Sequence, residues 1–253
     1  MAKTIRLFYF ITLFSLFSGT LMAQVVNIES QRLNKGKDGL AGTIDLNLSW
    51  THTVTDVLQT GNKIQVQYLK GRSKILMLSD LTIIRTNTTD LINNGFQHLR
   101  YNYQHKRWLI WEAFTQIQYN QVQKLDLRGL AGTGPRFRFV QNDTVSLHIG
   151  TLYMYEYEEL TEGLPLERNH RLSSYVSFDL EITDKVNIDH ITYYQPVITH
   201  FNDFRVSSEL VVTFKITRRL TFGVKGNYVY DSRPPPEIPG NTYEFKNSLG
   251  YRF

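Results

Sequence analysis

Hydrophobic and polar residues alternate along most of this chain with a period of two. Between Tyr243 and Phe253, apolar or aromatic residues occupy every second position except Asn247, and polar residues lie between them. This period is that of a β-strand with one apolar and one polar face. The pattern therefore predicts a last strand that runs to Phe253 and ends on an aromatic residue.

The same alternation recurs through the rest of the chain. It is unclear only between Val186 and Val197, where a β-bulge near Ile191 would account for the loss of phase. Most of the predicted strands have about 10–13 residues, whereas strands of globular proteins usually have about 5–6. With the last strand, the pattern predicts about twelve strands. The other alternating segments are 44–51, 63–68, 75–83, 98–104, 109–120, 125–139, 145–157, 172–182, 204–216 and 220–231.

The connections between these strands suggest a second regularity. Every second connection is short, as at 71–73, 141–143 and 184–185, and the others are mostly longer and polar. Short periplasmic turns and longer extracellular loops are typical of bacterial outer-membrane barrels. An even number of strands would then place both chain ends in the periplasm. The longer connections are predicted at 53–61, 86–94, 121–124, 158–170, 199–203 and 232–241.

A soluble β-sandwich would also alternate, so the choice of a barrel depends on further features. Aromatic residues with a polar atom crowd the strand ends, as at Trp50, Trp108 and Tyr119, where membrane headgroups would lie. The apolar face of 204–216 carries no charge, and a cation at the midplane of a barrel costs about 2–4 kcal/mol. We predict an all-β, transmembrane, antiparallel up-and-down β-barrel over residues 42–253, with a periplasmic lead-in over 24–41. A soluble periplasmic β protein is the alternative.

The first 23 residues predict a cleaved secretory signal peptide. Lys3 and Arg6 precede the apolar stretch Leu7–Met22, and Ala23 is a suitable cleavage residue. The apolar stretch is short for a membrane span. No cysteine follows that could carry a lipid anchor. Since the later chain has no stretch of 18 apolar residues, a mature chain that enters a membrane must do so as a closed barrel. We therefore predict the outer membrane of a Gram-negative cell as its location.

The composition excludes several classes of function. The chain has no cysteine, so disulfides, zinc–thiolate sites and thiol catalysis are excluded. The net charge of +5 is modest and its basic residues are scattered, which argues against nucleic-acid binding. We expect outer-membrane lipid as the surroundings of the chain and a monomer as its state.

Two features of the sequence resemble known proteins. Glu112, Gln118 and Tyr119, followed by Leu125, Arg128, Gly132, Gly134 and Arg136, resemble the pattern of domain-of-unknown-function family 481, whose members are labelled salt-induced outer membrane proteins. The segments 27–32 and 42–46 are similar to members from the Bacteroidetes. The resemblance implies an outer-membrane barrel of unknown biochemical role, with no catalytic residues to carry over. Outer-membrane barrels also typically end on an aromatic residue, and by that resemblance Phe253 is the signal for the barrel assembly machinery.

One residue departs from the pattern of family 481. Pro135 stands between Gly134 and Arg136, where an ordinary strand residue is usual. Proline has no N–H to donate to a sheet ladder, so we expect the pairing to be disturbed there. The glycines themselves are not a phosphate loop, because no lysine and no helix follow them, and we interpret them as positions of close strand packing.

The polar face predicts a hydrated interior of mixed charge rather than a catalytic site. A barrel of about twelve strands leaves room for a narrow channel at most, so we predict a narrow pore or an envelope-integrity protein without catalysis. We predict no catalytic residues, no cofactor and no metal site. The charged residues assigned to the interior are Asp45, Arg100, Glu112, Asp126, Arg128, Arg136, Arg138, Glu156, Asp179, Glu181, Arg205, Glu209, Lys215, Lys225, Asp231, Glu244, Lys246 and Arg252.

A membrane-embedded hydrolase of lipid or peptide is a second alternative. His148 lacks the serine two residues later that an outer-membrane phospholipase pattern would require. Asp189 and His190 are adjacent, but adjacent strand residues point to opposite faces and cannot act together. The seven histidines show no spacing typical of metal ligands.

Overall fold

The computed structural model describes residues 38–52, 55–87, 89–161 and 163–251. The predicted signal peptide, residues 1–23, most of the predicted lead-in, 24–37, and the last two residues, Arg252 and Phe253, lie outside these ranges. A 3-10 helix at Gln121–Gln123 joins two of the strands, and no described helix is long and apolar enough to cross a membrane. The strands are β1 (Gly39–His52), β2 (Asp56–Lys70), β3 (Ser73–Thr86), β4 (Asp90–Gln104), β5 (Leu109–Asn120), β6 (Leu125–Gln141), β7 (Val145–Leu160), β8 (Glu167–Thr183), β9 (Val186–Val197), β10 (His200–Lys215), β11 (Leu220–Asp231) and β12 (Asn241–Tyr251).

All twelve strands form one antiparallel sheet in which each strand pairs with the next strand of the sequence. The predicted all-β, up-and-down architecture of about twelve strands is therefore confirmed. Among the described residues, β1 and β12 share no ladder and form the two edges of the sheet. The predicted pairing of the last strand with residues 42–51 stays a prediction.

The strands extend further than the alternation predicts. β1 begins at Gly39, inside the segment predicted as a lead-in, and β2, β4 and β10 begin at Asp56, Asp90 and His200, inside predicted loops. The predicted contrast of short and long connections is thus largely wrong, and only 161–166 and 232–240 are long. Both lie at the same end of the sheet, called here the loop end; the opposite end, with 71–72, 142–144 and 184–185, is the turn end. The strand ends are polar on both faces, so alternation disappears while the backbone ladders continue.

Burial follows the alternation, with polar residues on the protected face. Trp111 is 50% exposed, whereas its neighbour Glu112 is fully buried. Side chains on this polar face meet although their strands are three strand spacings apart. Tyr175 on β8 donates to Glu112 on β5, and Arg205 on β10 donates to Glu158 on β7. The sheet is therefore curled around its polar face. In a flat sheet these strands would lie roughly 14 Å apart. We call the space enclosed by the concave face the lumen.

Two local predictions of facing are wrong. A register shift between Leu125 and Leu127 puts Leu125 in the lumen, 2% exposed, and Leu127 outside, 38% exposed, although the alternation assigns them to one face. No bulge occurs near Ile191, because β9 and β10 pair without a break from Val186 to Pro196. The phase of β9 is obscure in the sequence because both of its faces are apolar: Ile191 and Tyr193 are buried in the lumen.

An apolar cluster fills part of the lumen. Leu152, Tyr175, Ile191 and Tyr193 pack together, and Phe114 reaches them from β5. Residues from β5, β7, β8 and β9 therefore meet inside the curled sheet. This packing narrows the lumen between the two groups of charged residues described next.

Candidate functional site

A buried charged cluster lies towards the turn end of the lumen, and we call it the turn-end cluster. The Glu112 carboxylate is 3.3 Å from Nη1 of Arg136 and 3.5 Å from Nη1 of Arg100, and it accepts a hydrogen bond of 2.5 Å from the Tyr175 hydroxyl. The Arg136 guanidinium also lies over the Tyr175 ring, 5.9 Å from its centroid. One carboxylate thus holds two guanidinium groups from strands on either side of it.

Two glycines of β6 allow close packing of the neighbouring residues beside this cluster. Gly134 lies directly opposite Glu112 in the β5–β6 ladder, and a Cβ on Gly134 would approach the Leu152 Cα to 2.7 Å. A Cβ on Gly132 would lie 2.5 Å from the Phe114 ring. The interpretation of these glycines as sites of close packing agrees with this geometry.

Pro135 disturbs only one side of β6. The β5–β6 register is continuous through Pro135 and Trp111. On the other side, the β6–β7 ladder pairs Thr133 and Arg136 with β7 but skips the two residues between them, Gly134 and Pro135. The disturbance expected from the missing N–H of Pro135 is therefore confined to the β7 side.

A second charged cluster lies towards the loop end, and we call it the loop-end cluster. Arg205 is at its centre: its guanidinium bonds Glu156, lies 3.0 Å from Glu158 Oε2 and lies 2.7 Å from Asp231 Oδ2. Arg128 approaches Glu158 from the other side at 2.6 Å. The cluster thus joins β6, β7, β10 and β11 through side chains alone.

Two further residues complete the loop-end cluster. Arg171 Nε lies 2.5 Å from Glu156 Oε2, and Arg171 Nη2 lies 3.1 Å from Asp203 Oδ1. The cluster then holds three guanidinium groups and four carboxylates. Opposite charges are matched nearly one to one, which offsets the cost of burying them.

A cavity of about 40 Å³ separates the two clusters and is lined by residues of every strand from β4 to β10. His98 is on its wall, 3% exposed, with its ring stacked between Phe96 and Phe114. The lining also includes Gln116, Gln118, Arg128, Glu156, Tyr193, Gln195 and Arg205.

A side-chain contact joins two distant connections at the loop end. Lys124 Nζ, after the 3-10 helix, lies 2.7 Å from Glu237 Oε2 in the connection 232–240. The Lys124 carbonyl also accepts from the Thr161 N–H, at 2.8 Å. Three connections of the loop end are therefore linked at Lys124.

The histidines considered for catalysis are not assembled into a site. His148 is buried in the lumen with Ser146 Oγ 3.3 Å from its Nδ1, whereas His190 faces outward and contacts Thr192 and Phe178. Asp189 lies on the opposite face from His190. Within the described ranges, no three His, Cys, Asp or Glu residues are grouped to hold a metal.

The sequence predicts part of each cluster. The sequence correctly assigns to the interior face all three charged residues of the turn-end cluster, Arg100, Glu112 and Arg136. It also assigns to that face four residues of the loop-end cluster: Arg128, Glu156, Arg205 and Asp231. Glu158 and Asp203 fall in predicted loops, and Arg171 lies between a predicted loop and the strand predicted from Leu172, so the sequence assigns none of the three to the interior. Each lies two positions from a residue predicted on the interior face: Glu158 from Glu156, Arg171 from Ser173, and Asp203 from Arg205. Extending the period of two would therefore assign them to the same face. Asp126 instead lies exposed at the rim, bonded to Thr161.

The fold and the lumen together define an up-and-down β protein with a charged interior and an apolar exterior. The chain belongs to the family described as "Protein of unknown function, DUF481", whose model matches residues 43–253. The resemblance to this family noted from the motif residues is confirmed.

Solved structures of two porins show a weaker likeness to this chain. NanC porin is 10% identical with a TM-score of 0.48, covering 83% of this chain and 100% of that one. KdgM porin is 10% identical with a TM-score of 0.44, covering 84% and 99%. Both TM-scores are below 0.5. No curated protein shows significant sequence similarity to the chain.

Proposed function

We propose that this protein is an outer-membrane β-barrel whose narrow, polar lumen passes ions or small solutes, without catalysis. One observation carries the proposal: the distribution of polarity is inverted relative to a water-soluble protein. Among the described residues, twenty-one buried side chains are polar or charged and ten are hydrophobic, while large apolar side chains are exposed along every strand. Such an exterior suits hydrocarbon, and such an interior suits water and ions.

The charged clusters and the apolar cluster set the width of the proposed pore. Arg205 reaches from β10 to Glu156 on β7, and Tyr175 reaches from β8 to Glu112 on β5. These contacts narrow the lumen, and the cavity between them has a volume of about 40 Å³. Since both signs of charge line the path, we expect weak selectivity between cations and anions.

Closure of the barrel is part of the proposal, because no backbone group at a sheet edge can stay unpaired in hydrocarbon. Both edge strands carry the outward apolar row that the other strands carry: Leu46 and Leu48 on β1, and Phe245 and Leu249 on β12, are all strongly exposed. These edges would pair with each other in the membrane.

The chain contains no cysteine, so closure can be tested with introduced cysteine pairs. One cysteine at Leu46 is combined in turn with one at Phe245, Asn247 or Leu249, all outward positions. We expect one of the three pairs to crosslink when the protein is folded in lipid, because paired residues come within disulfide range. Crosslinking between chains only, or none in any pair, would contradict closure.

The pore itself is tested by planar-bilayer recording of the refolded protein. Arg205→Ala removes the group that crosses the lumen and should raise single-channel conductance. The matched control is Arg168→Ala, because Arg168 lies on the outward face of β8 over the Tyr157 ring. Absence of conductance in the native protein under every condition would contradict the pore, and fractionation of the mature chain as a soluble protein would contradict the membrane location.

Assembly follows from the same proposal. Deletion of Phe253 should lower the yield of folded protein in the outer membrane if the barrel assembly machinery recognises that residue. The protein is proposed to act as a monomer, and light scattering in detergent tests this directly.

A further inference from the structure

The cavity between the two charged clusters holds a buried histidine with one nitrogen unused. His98 Nδ1 contacts Gln116 Oε1 at 3.0 Å. An amide oxygen can only accept, so Nδ1 must donate the hydrogen bond. His98 Nε2 is buried with no hydrogen-bond partner, and His98 lines the cavity.

The hydrogen-bond chain fixes what this nitrogen can do. Gln116 Nε2 donates to Gln118 Oε1 at 2.6 Å, which sets the orientation of the Gln116 amide. With the proton of the neutral ring on Nδ1, Nε2 carries a lone pair and accepts. A partner for His98 must therefore bring a hydrogen-bond donor into the cavity.

The other walls offer donors and apolar faces together. Arg100, Arg128 and Arg205 bring N–H groups, and Phe114 and Leu130 bring apolar surface. Each guanidinium already faces a carboxylate: Arg100 faces Glu112 at 3.5 Å, Arg128 faces Glu158 at 2.6 Å and Arg205 faces Asp231 at 2.7 Å. An anion would also meet the Glu156 carboxylate, and a cation would meet the arginines.

A neutral hydroxylated molecule satisfies all of these groups. Each hydroxyl can donate to a nitrogen such as His98 Nε2 and accept from an N–H, while its CH groups lie against the apolar faces. The volume of about 40 Å³ corresponds to about three water molecules, so the cavity admits only a small molecule.

We propose that the lumen cavity at His98 is a binding site for a small neutral polyol, and glycerol is the probe of this class. This inference deepens the proposed pore by naming the class of solute, and it rests on that function only for transport. Binding itself depends only on the geometry of the cavity.

The test of binding uses the full protein refolded in detergent with ¹⁵N-labelled histidine. Nitrogen NMR distinguishes a protonated ring nitrogen from one with a lone pair, and the His98 signals are assigned by their loss in His98→Phe or, if that variant does not fold, His98→Gln. Titration with glycerol should shift the Nε2 signal saturably, and Gln116→Leu should weaken binding about fivefold by loosening the ring orientation. His190→Phe, on the outward face, is the control and should not alter the titration.

Three results would overturn the site: a proton on Nε2, no glycerol-dependent shift, or an equal shift with chloride or phosphate but none with glycerol. Swelling of proteoliposomes in isosmotic glycerol tests transport separately. A saturable NMR shift without swelling would retain the site and contradict the pore. Swelling without the shift would retain the pore and contradict the site.

Discussion

Glu112 lies opposite Gly134 across the β5–β6 ladder, and its carboxylate reaches Arg136 two residues further along β6. A Cβ at position 134 would lie 2.7 Å from the Leu152 Cα, so the glycine lets β7 pack closely against β6 beside this diagonal contact. The family motif of a glutamate, two glycines and an arginine is therefore one structural unit in this chain. It belongs to the interior of the sheet and not to a surface loop.

Glu112→Ala should strongly destabilise the folded protein. It would leave Arg100 and Arg136 buried without the carboxylate they share, and breaking a buried ion pair in this way costs about 3–5 kcal/mol. Urea unfolding in lipid vesicles measures the change. Glu159→Ala, at an exposed position, should have little effect, and equal losses for the two variants would contradict the role of the cluster.

Gly132→Ala tests the close packing of β6. The added Cβ would lie 2.5 Å from the Phe114 ring and 2.9 Å from the Tyr153 carbonyl oxygen, and overpacking of this kind costs about 1–3 kcal/mol. Gly129→Ala in the same strand is the control, because its nearest neighbour is 4.0 Å away. The two urea midpoints should move in clearly different amounts, and a tolerated Gly132→Ala would show that Phe114 can move aside.

Val212→Arg and Thr213→Arg test which face meets lipid. Val212 lies on the outward face of β10, and Thr213 lies on the lumen side opposite Gly223. Arginine on the lipid face costs about 2 kcal/mol or more near the midplane, whereas arginine in a polar lumen costs much less. Folding yields and unfolding free energies in vesicles provide the measurement, and equal penalties would reverse the assignment of inside and outside.

The contact between Lys124 and Glu237 should make the loop end sensitive to acid. The hydrogen bond from Lys124, together with its charge, lowers the pKa of Glu237 below its ordinary value. The contact is therefore complete above the ordinary pKa of a glutamate and is lost as the pH falls through the lowered value. Spin labels in the connections 121–124 and 232–240 should show increasing separation over that acidic range.

Glu237→Gln is the control for this acid response. The variant cannot ionise, so the distance between the labels should no longer depend on pH in that range. A pH response that persists in Glu237→Gln would assign the movement to another group.

Lys124 and Glu237 also share an unusual backbone conformation. Within the described ranges they are the non-glycine residues with positive φ, at 54° and 68°. This conformation holds both side chains at the turn positions where they meet.

Much of the fold could be predicted because alternation depends on local sequence. The faces of β4, β5, β7 and β10 follow from the period of two, since apolar and polar residues are cleanly separated there. β9 fails because Ile191 and Tyr193 are apolar residues facing the lumen, and the start of β6 fails because a bulge between Leu125 and Leu127 changes the facing without a sequence signal.

The sites could be predicted only in part, for a different reason. Periodicity assigns Arg205 and Glu156 to the same face but says nothing about the curvature that brings β10 next to β7. Glu158, Arg171 and Asp203 are not assigned to the interior, because polar strand ends resemble loops and the predicted strands stop short of these residues. The unused nitrogen of His98 depends on the positions of Gln116 and Phe114, which only the three-dimensional structure supplies.

Every ladder of the sheet joins strands that are adjacent in sequence, and this has a consequence for the order of folding. Each hairpin closes a short loop, so it can form quickly once its second strand is present. The contacts of Arg205 with Glu156 and of Tyr175 with Glu112 cannot form until several hairpins have been added and the sheet has curled. The charged interior is therefore assembled late in folding. The rate at which its ion pairs form should depend on completion of the curled sheet and not on the pairing of any one hairpin.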